Sequence, residues 1–125
     1  MASVKRTLSV IFKDSLFDPD SSEKIAQYRE QPSGQPLYRV FLYLDGPDLP
    51  FVESVTFRLH ETFSPPTRRV TRSLTNPHCK IAIWTWGVFT AEAVVVGKTG
   101  GELELSHRLQ YGNQISNPDI KFKAG

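Results

Sequence analysis

The chain has 125 residues, 39% of them hydrophobic, and a net charge of +2 from 15 basic and 13 acidic side chains. That length fits one domain over 1–125 with an adequate core, and the near-balance of charge argues against nucleic-acid binding by charge alone. No apolar run reaches the roughly 20 residues of a membrane-spanning helix, residues 1–13 carry no secretory pattern, and the single Cys79 allows no internal disulfide, which suits a reducing cytoplasm.

Residues 6–12 read as a first strand, with Leu8 and Val10 alternating against polar neighbours and Ile11 and Phe12 adding β propensity. The 14–36 segment is an insertion. Its turn residues at 18–22, and Asp20 followed by Glu23, resemble a capping box and predict a short helix over 21–29 with Ile25 and Tyr28 on its apolar side. An exposed loop over 31–36 follows.

Residues 37–45 form a strong strand with Tyr38, Val40, Leu42 and Leu44 on one face and Phe41 and Tyr43 on the other. Both faces are apolar, so the strand is expected to be central or covered. The next strand, 51–60, turns Val55, Phe57 and Leu59 inward, and Ser64-Pro65-Pro66 makes a rigid corner after it. Residues 68–74 read as a polar edge strand. Its Arg68, Arg69 and Arg72 are either a solvated face or a patch that steers an anionic partner. After a turn at 75–78, residues 79–84 form a strand with Ile81 and Ile83 on the core side.

Residues 88–96 and 101–111 are the clearest hairpin. Leu103, Leu105, His107, Leu109 and Tyr111 share its inner face, and His107 is expected at the margin of that face with a hydrogen-bond partner. The 112–125 tail is polar and reads as extended or frayed, with Ile120 and Phe122 able to dock it. The core is thus placed at about 5–111. Seven or eight short strands with one possible helix near 21–29 predict an all-β, immunoglobulin-like β-sandwich resting on packing alone.

No nucleophile, base and orienting group fall at motif spacing, and no glycine-rich phosphate loop follows a strand. His60, His78, Cys79 and His107 lack metal-site spacing. The chain therefore reads as a non-enzyme, with no cofactor and no metal.

Two stretches stand out: Arg58-Leu59-His60-Glu61-Thr62-Phe63, where a strand runs into a turn, and Trp84-Thr85-Trp86-Gly87-Val88-Phe89, an aromatic cluster broken by one glycine. On alternation Trp84 and Trp86 face away from the core, and an indole at a loop tip is costly to leave exposed unless something covers it. Core packing of the rings and a pocket both fit this composition.

The run over 51–63, with Asp45-Gly46-Pro47 before it and Trp86-Gly87-Val88-Phe89 after it, resembles the signature of YEATS domains, immunoglobulin-fold readers of acylated lysine. The wording of Asn76-Pro77-His78-Cys79 and Trp84-Thr85-Trp86-Gly87 is similar to the prokaryotic branch of the family. The likeness covers about 37–111. It implies that Phe63 and Trp86 wall an aromatic slot for a flat acyl-amide, with Gly87 in the second loop and Phe89 closing the base. It also implies that the Trp86 N–H meets the acyl carbonyl, that the Thr62 hydroxyl accepts the amide N–H, and that His60 buttresses the turn. The family places another aromatic just before the strand at 37, where this chain has Pro36 and Leu37. Tyr38 is the nearest ring for the rim, Trp84 is another, and Phe17 or Tyr28 of the insertion are candidates to cover the mouth. The implied partner is an acylated-lysine peptide or protein. A second reading is a structural or protein-interaction sandwich whose rings fill their own cluster, so an open slot beside Thr62, Phe63 and Trp86 distinguishes the two. A third is a nucleic-acid binder using Arg68, Arg69 and Arg72 beside exposed rings, which strong salt dependence of binding would support.

Overall fold

The computed structural model describes residues 8–22 and 24–125. Among these, nine strands make two packed sheets. The first sheet is built on β3 (Pro36–Asp45), whose one edge pairs with β1 (Ile11–Ser15) and β2 (Ile25–Glu30) and whose other edge pairs with β6 (Ile81–Thr85). A last strand, β9 (Lys121–Ala124), adds parallel to β2. The second sheet runs in the order β5 (Thr67–Thr71), β4 (Val52–Arg58), β7 (Thr90–Gly97), β8 (Glu102–Arg108).

Strict alternation puts Val40, Leu42 and Leu44 of β3 against Val55 and Phe57 of β4 and Ala91, Ala93 and Val95 of β7, all fully buried. The rings of Phe12 and Phe57, one from each sheet, meet at 5.4 Å between centroids. Burying a ring of this size contributes about 3 kcal/mol. The strand at the centre of the first sheet is covered on its far side as well. Phe41 and Tyr43 are buried there under the Arg39 guanidinium and the Lys13 ammonium, and burial pushes the Tyr43 phenol up from its usual range. Gly46, at φ +120°, ends the strand where a Cβ would stand 2.7 Å from the Ser9 carbonyl oxygen.

The sequence pattern misleads over 21–29 and at the start of the first strand, and leaves two outcomes open for the tail. Residues 25–30 form strand β2, not the helix expected over 21–29. A helix that short is marginal in water, whereas as a strand the segment pairs with β3 and β9 and buries Ala26 completely. The Glu23 half of the capping box lies outside the described residues. Of the two outcomes expected for the tail it takes the extended, docked one: a helical turn, α1 (Gly112–Ile115), leads into β9, Ile115 and Ile120 pack on the core, and Phe122 meets Tyr38. The first strand starts later than 6–12, at Ile11, and residues 6 and 7 lie outside the described residues.

The insertion is fastened to the sheet by charge. Lys80 reaches both oxygens of Asp18, at 2.7 and 2.8 Å, and Asp20 at 3.2 Å, while Asp20 also holds His78. Partial burial opposes ionisation of Asp18, but the Lys80 ammonium outweighs it and lowers the carboxyl below its usual value, as the carboxylates raise Lys80 above its own.

His107 meets its expected partner. Its Nε2 faces Asp14 Oδ1, and the same carboxylate accepts the backbone N–H groups of Gln110 and Tyr111 at 3.0 and 2.8 Å. Asp14 lies inside the sandwich, its side chain 1% exposed. Cys79 is fully buried at φ +50°, and burial pushes its thiol up to about 11. A thiol so placed is almost wholly protonated at pH 8 and shielded from reagents. Native protein should therefore resist iodoacetamide while urea-unfolded chain is alkylated readily. Fast labelling of the native protein would refute this.

Candidate functional site

The site lies at one end of the sandwich, where the β4–β5 and β6–β7 connections face each other. The first connection starts as β4 ends. Leu59 N–H donates to the Pro66 carbonyl at 2.7 Å, and Phe63 N–H donates to the His60 carbonyl at 3.0 Å, closing a turn over 60–63. The Ser64–Pro65 peptide bond is cis, and the Pro65-Pro66 pair keeps the corner from pairing as strand.

Inside this turn His60 Nδ1 accepts the Thr62 N–H at 3.2 Å and lies 2.9 Å from Thr62 Oγ1. A ring nitrogen that accepts a backbone N–H carries no proton, so the Thr62 hydroxyl donates to it and its own lone pairs stay available. The proton of the neutral ring then sits on Nε2.

The second connection is held from three sides. Thr85, buried at the end of β6, donates from Oγ1 to the Gly87 carbonyl at 3.1 Å and accepts the Gly87 N–H at 3.4 Å. The Tyr111 hydroxyl donates to the same carbonyl at 2.8 Å, and burial pushes that phenol up to about 12. Leu109 N–H fixes the Phe89 carbonyl at 3.0 Å. Between these anchors Trp86 projects outward, 63% exposed.

A groove of about 620 Å³ runs between the two connections, within the usual range for ligand clefts. His60, Thr62, Phe63, Trp86, Gly87 and Phe89 all line it. Among these lining residues the Phe63 and Phe89 rings pack at 5.3 Å, and the His60 ring meets Phe89 edge-on at 6.4 Å. Trp86 makes no ring–ring contact among the described residues, so the indole is not buried in an aromatic cluster.

The sheet supplies the remaining wall. Trp84 lines the groove, with the Arg29 guanidinium 4.1 Å above its ring. Tyr38 does not reach the rim. It shares the inward face with Val40 and packs against Tyr111 and Phe122, and its neighbour Leu37 takes the wall. Phe17 and Tyr28 do not line the groove either; the insertion contributes Gln31 instead. Leu37 was readable from β alternation, since it must oppose Tyr38. Gln31 carried no signal, because its place depends on β2 being a strand. Among the described residues no three His, Cys, Asp or Glu side chains are placed to hold a metal ion.

Comparison with known proteins places this geometry. The model of the prokaryotic YEATS domain family matches residues 38–110. The chain belongs to that family. The YEATS match spans both connections and hence both sides of the groove. Transcription initiation factor TFIID subunit 14 of Schizosaccharomyces pombe is 33% identical over 76 residues, which is 60% of this chain and 30% of that protein, so the chain spans under a third of its length. Two solved YEATS structures share the fold. Yeast Yaf9, the AF-9 homologue, superposes with a TM-score of 0.57 at 19% identity, over 83% of this chain and 67% of its own. A second structure, of the Yaf9 YEATS domain recognising an H3K122suc peptide, gives 0.56 at 16% identity, over 90% and 82%. No helix among the described residues is long and apolar enough to cross a membrane.

Proposed function

We propose that this YEATS domain is a non-catalytic recognition module that takes an acylated lysine, or a similar planar amide, between Phe63 and Trp86. The observation that carries the reading is the Thr62 hydroxyl, turned by His60 so that its oxygen accepts, on the wall of an open aromatic groove. Acylation removes the lysine charge and leaves a flat neutral amide. Such a group stacks on π faces but needs its N–H and C=O satisfied once it leaves water. Thr62 takes the N–H, and the Trp86 backbone N–H supplies the donor for the carbonyl. A free ammonium would lose its hydration in the same slot without a carboxylate to replace it.

The exposed indole supports this reading over a self-filled cluster, because a structural module would cover Trp86 with its own loops. The partner is then a protein or peptide carrying the acylated side chain, as the description of the Yaf9 domain with a modified histone peptide illustrates for a relative.

Calorimetric titration with acetyl-lysine, crotonyl-lysine and unmodified peptides tests the proposal. Heat with an acylated peptide and none with the unmodified one is expected. Equal binding of all three, or none, would refute it. Thr62→Val keeps the volume and removes the acceptor, leaving the bound amide N–H unpaired at a cost of about 1.4 kcal/mol, or tenfold in affinity. Thr62→Ser should restore most of that loss.

A further inference from the structure

Alternation along three neighbouring strands gathers four cations on the outward face of the first sheet. Arg39 of β3 lies opposite Trp84, Arg29 of β2 opposite Leu37, and Lys121 and Lys123 of β9 opposite Ile25 and Gln27. Ala26 of β2, and Tyr38 and Val40 on either side of Arg39, turn the other way, into or alongside the core. Strands stand about 4.8 Å apart and alternate residues about 6.6 Å apart along a strand. The four Cα positions therefore fall within a patch about 14 Å across, Arg29 and Lys121 being farthest apart.

None of the four has an ion-pair partner among the described residues, although Arg39 donates to Gln27 Oε1 at 2.9 Å and its charge reaches Asp18. On the same face Asp45 is taken by Lys13 at 3.8 Å. Glu30, next to Arg29, turns to the opposite face and lines a cleft with Tyr28 and Tyr38. Arg29, Lys121 and Lys123 are exposed, and both guanidinium groups lie over rings, Arg29 on Trp84 and Arg39 on Phe41.

We propose that this face binds the phosphodiester backbone of a nucleic acid. The guanidinium fork matches phosphate oxygens bidentately, and lysines add point charges beside it. The rings on this face, Phe41, Tyr43 and Trp84, lie under the cationic side chains of Arg39, Lys13 and Arg29, so charge rather than the apolar anchors of protein interfaces is what it presents to solvent. Its large exposed apolar residue near the four cations is Ile25, 39% exposed. Nucleic-acid interfaces are more polar and more positive than protein ones, and this composition fits them. The near-neutral total charge hides the patch, because its members come from positions 29 to 123. The arginines that cluster in the sequence, Arg68, Arg69 and Arg72, donate to the Pro65 carbonyl, Ser54 Oγ and the Pro77 carbonyl. The proposal does not depend on what the groove holds.

Fluorescence anisotropy of a labelled single-stranded oligonucleotide of about 20 bases, titrated with the full chain between about 50 and 200 mM salt, is the test. Four phosphate contacts predict a log–log salt slope of about −3. Lys121→Ala with Lys123→Ala, on an exposed edge strand, should halve that slope and weaken binding. Arg29→Ala serves as a second variant, and Arg108→Ala, on the opposite sheet, should change neither quantity. Circular dichroism confirms that each variant is folded. A slope near zero, an equal loss in Arg108→Ala, or tighter binding to poly-glutamate or anionic phospholipid vesicles than to the oligonucleotide would overturn the proposal.

Discussion

Replacing Trp86 by alanine should abolish measurable binding of an acyl-lysine peptide while leaving the protein folded and cooperative. The two halves of that outcome have separate causes. The indole is 63% exposed and makes no ring–ring contact among the described residues, so its removal opens no cavity in the core and should cost under about 0.5 kcal/mol of stability. In the complex the same ring covers one face of the amide. An aromatic anchor of this kind typically contributes 2 kcal/mol or more, about thirtyfold or more in affinity. Urea unfolding beside titration calorimetry reads both halves. Unimpaired binding by the variant would mean that the ligand does not stack on this wall. A large loss of stability would mean that the indole is structural after all.

Asp14→Ala should lower stability by about 3 kcal/mol. Asp14 is a carboxylate almost wholly out of water, facing His107 Nε2 and accepting the Gln110 and Tyr111 backbone N–H groups. It ties β1 of one sheet to the end of β8 in the other. Removing it leaves two backbone donors and an imidazole without their acceptor, and each orphaned group inside a protein costs about 1–3 kcal/mol. The loss should appear as a lower urea midpoint with an unchanged slope. Because Tyr111 also fixes Gly87, peptide affinity should fall in the same variant, whereas a core truncation such as Val95→Ala should reduce stability alone. If Asp14→Ala unfolds at the wild-type midpoint, the carboxylate is better solvated than its surroundings imply.

The strands with clear alternation were legible because burial of one face fixes a period of two. In β8, Leu103, Leu105 and His107 lie inward and Glu102, Glu104 and Ser106 outward, as the pattern reads. The paired apolar faces of β3 announced a covered central strand. The residues of β2 were misread because Ile25 and Tyr28, three apart, mimic a helical stripe. Their fate is decided by a free edge of β3 that no local pattern displays. The same limit hid the pairing of β9 with β2, whose partners, such as Ile25 and Lys121, lie 96 positions apart.

At the site, the lining residues His60, Thr62, Phe63, Trp86, Gly87 and Phe89 were recoverable from two short stretches and their likeness to a family. The supports were not. Thr85 and Tyr111 are ordinary strand residues by sequence, and only the closing of one sheet over the other brings the phenol beneath the Gly87 carbonyl. Leu37 in place of Tyr38 is a matter of register by one residue, which moves a side chain to the opposite face.

The triple fastening of the segment that carries Trp86 bears on how a guest would be received. A wall immobilised during folding has little rotational freedom left to surrender on contact. Association should therefore proceed with scant backbone adjustment, and a ligand's dwell time should track the fit of its flat tip rather than the speed of any loop closing over it. Loosening the fastening with Tyr111→Phe would shift part of that ordering from the folding step to the encounter itself.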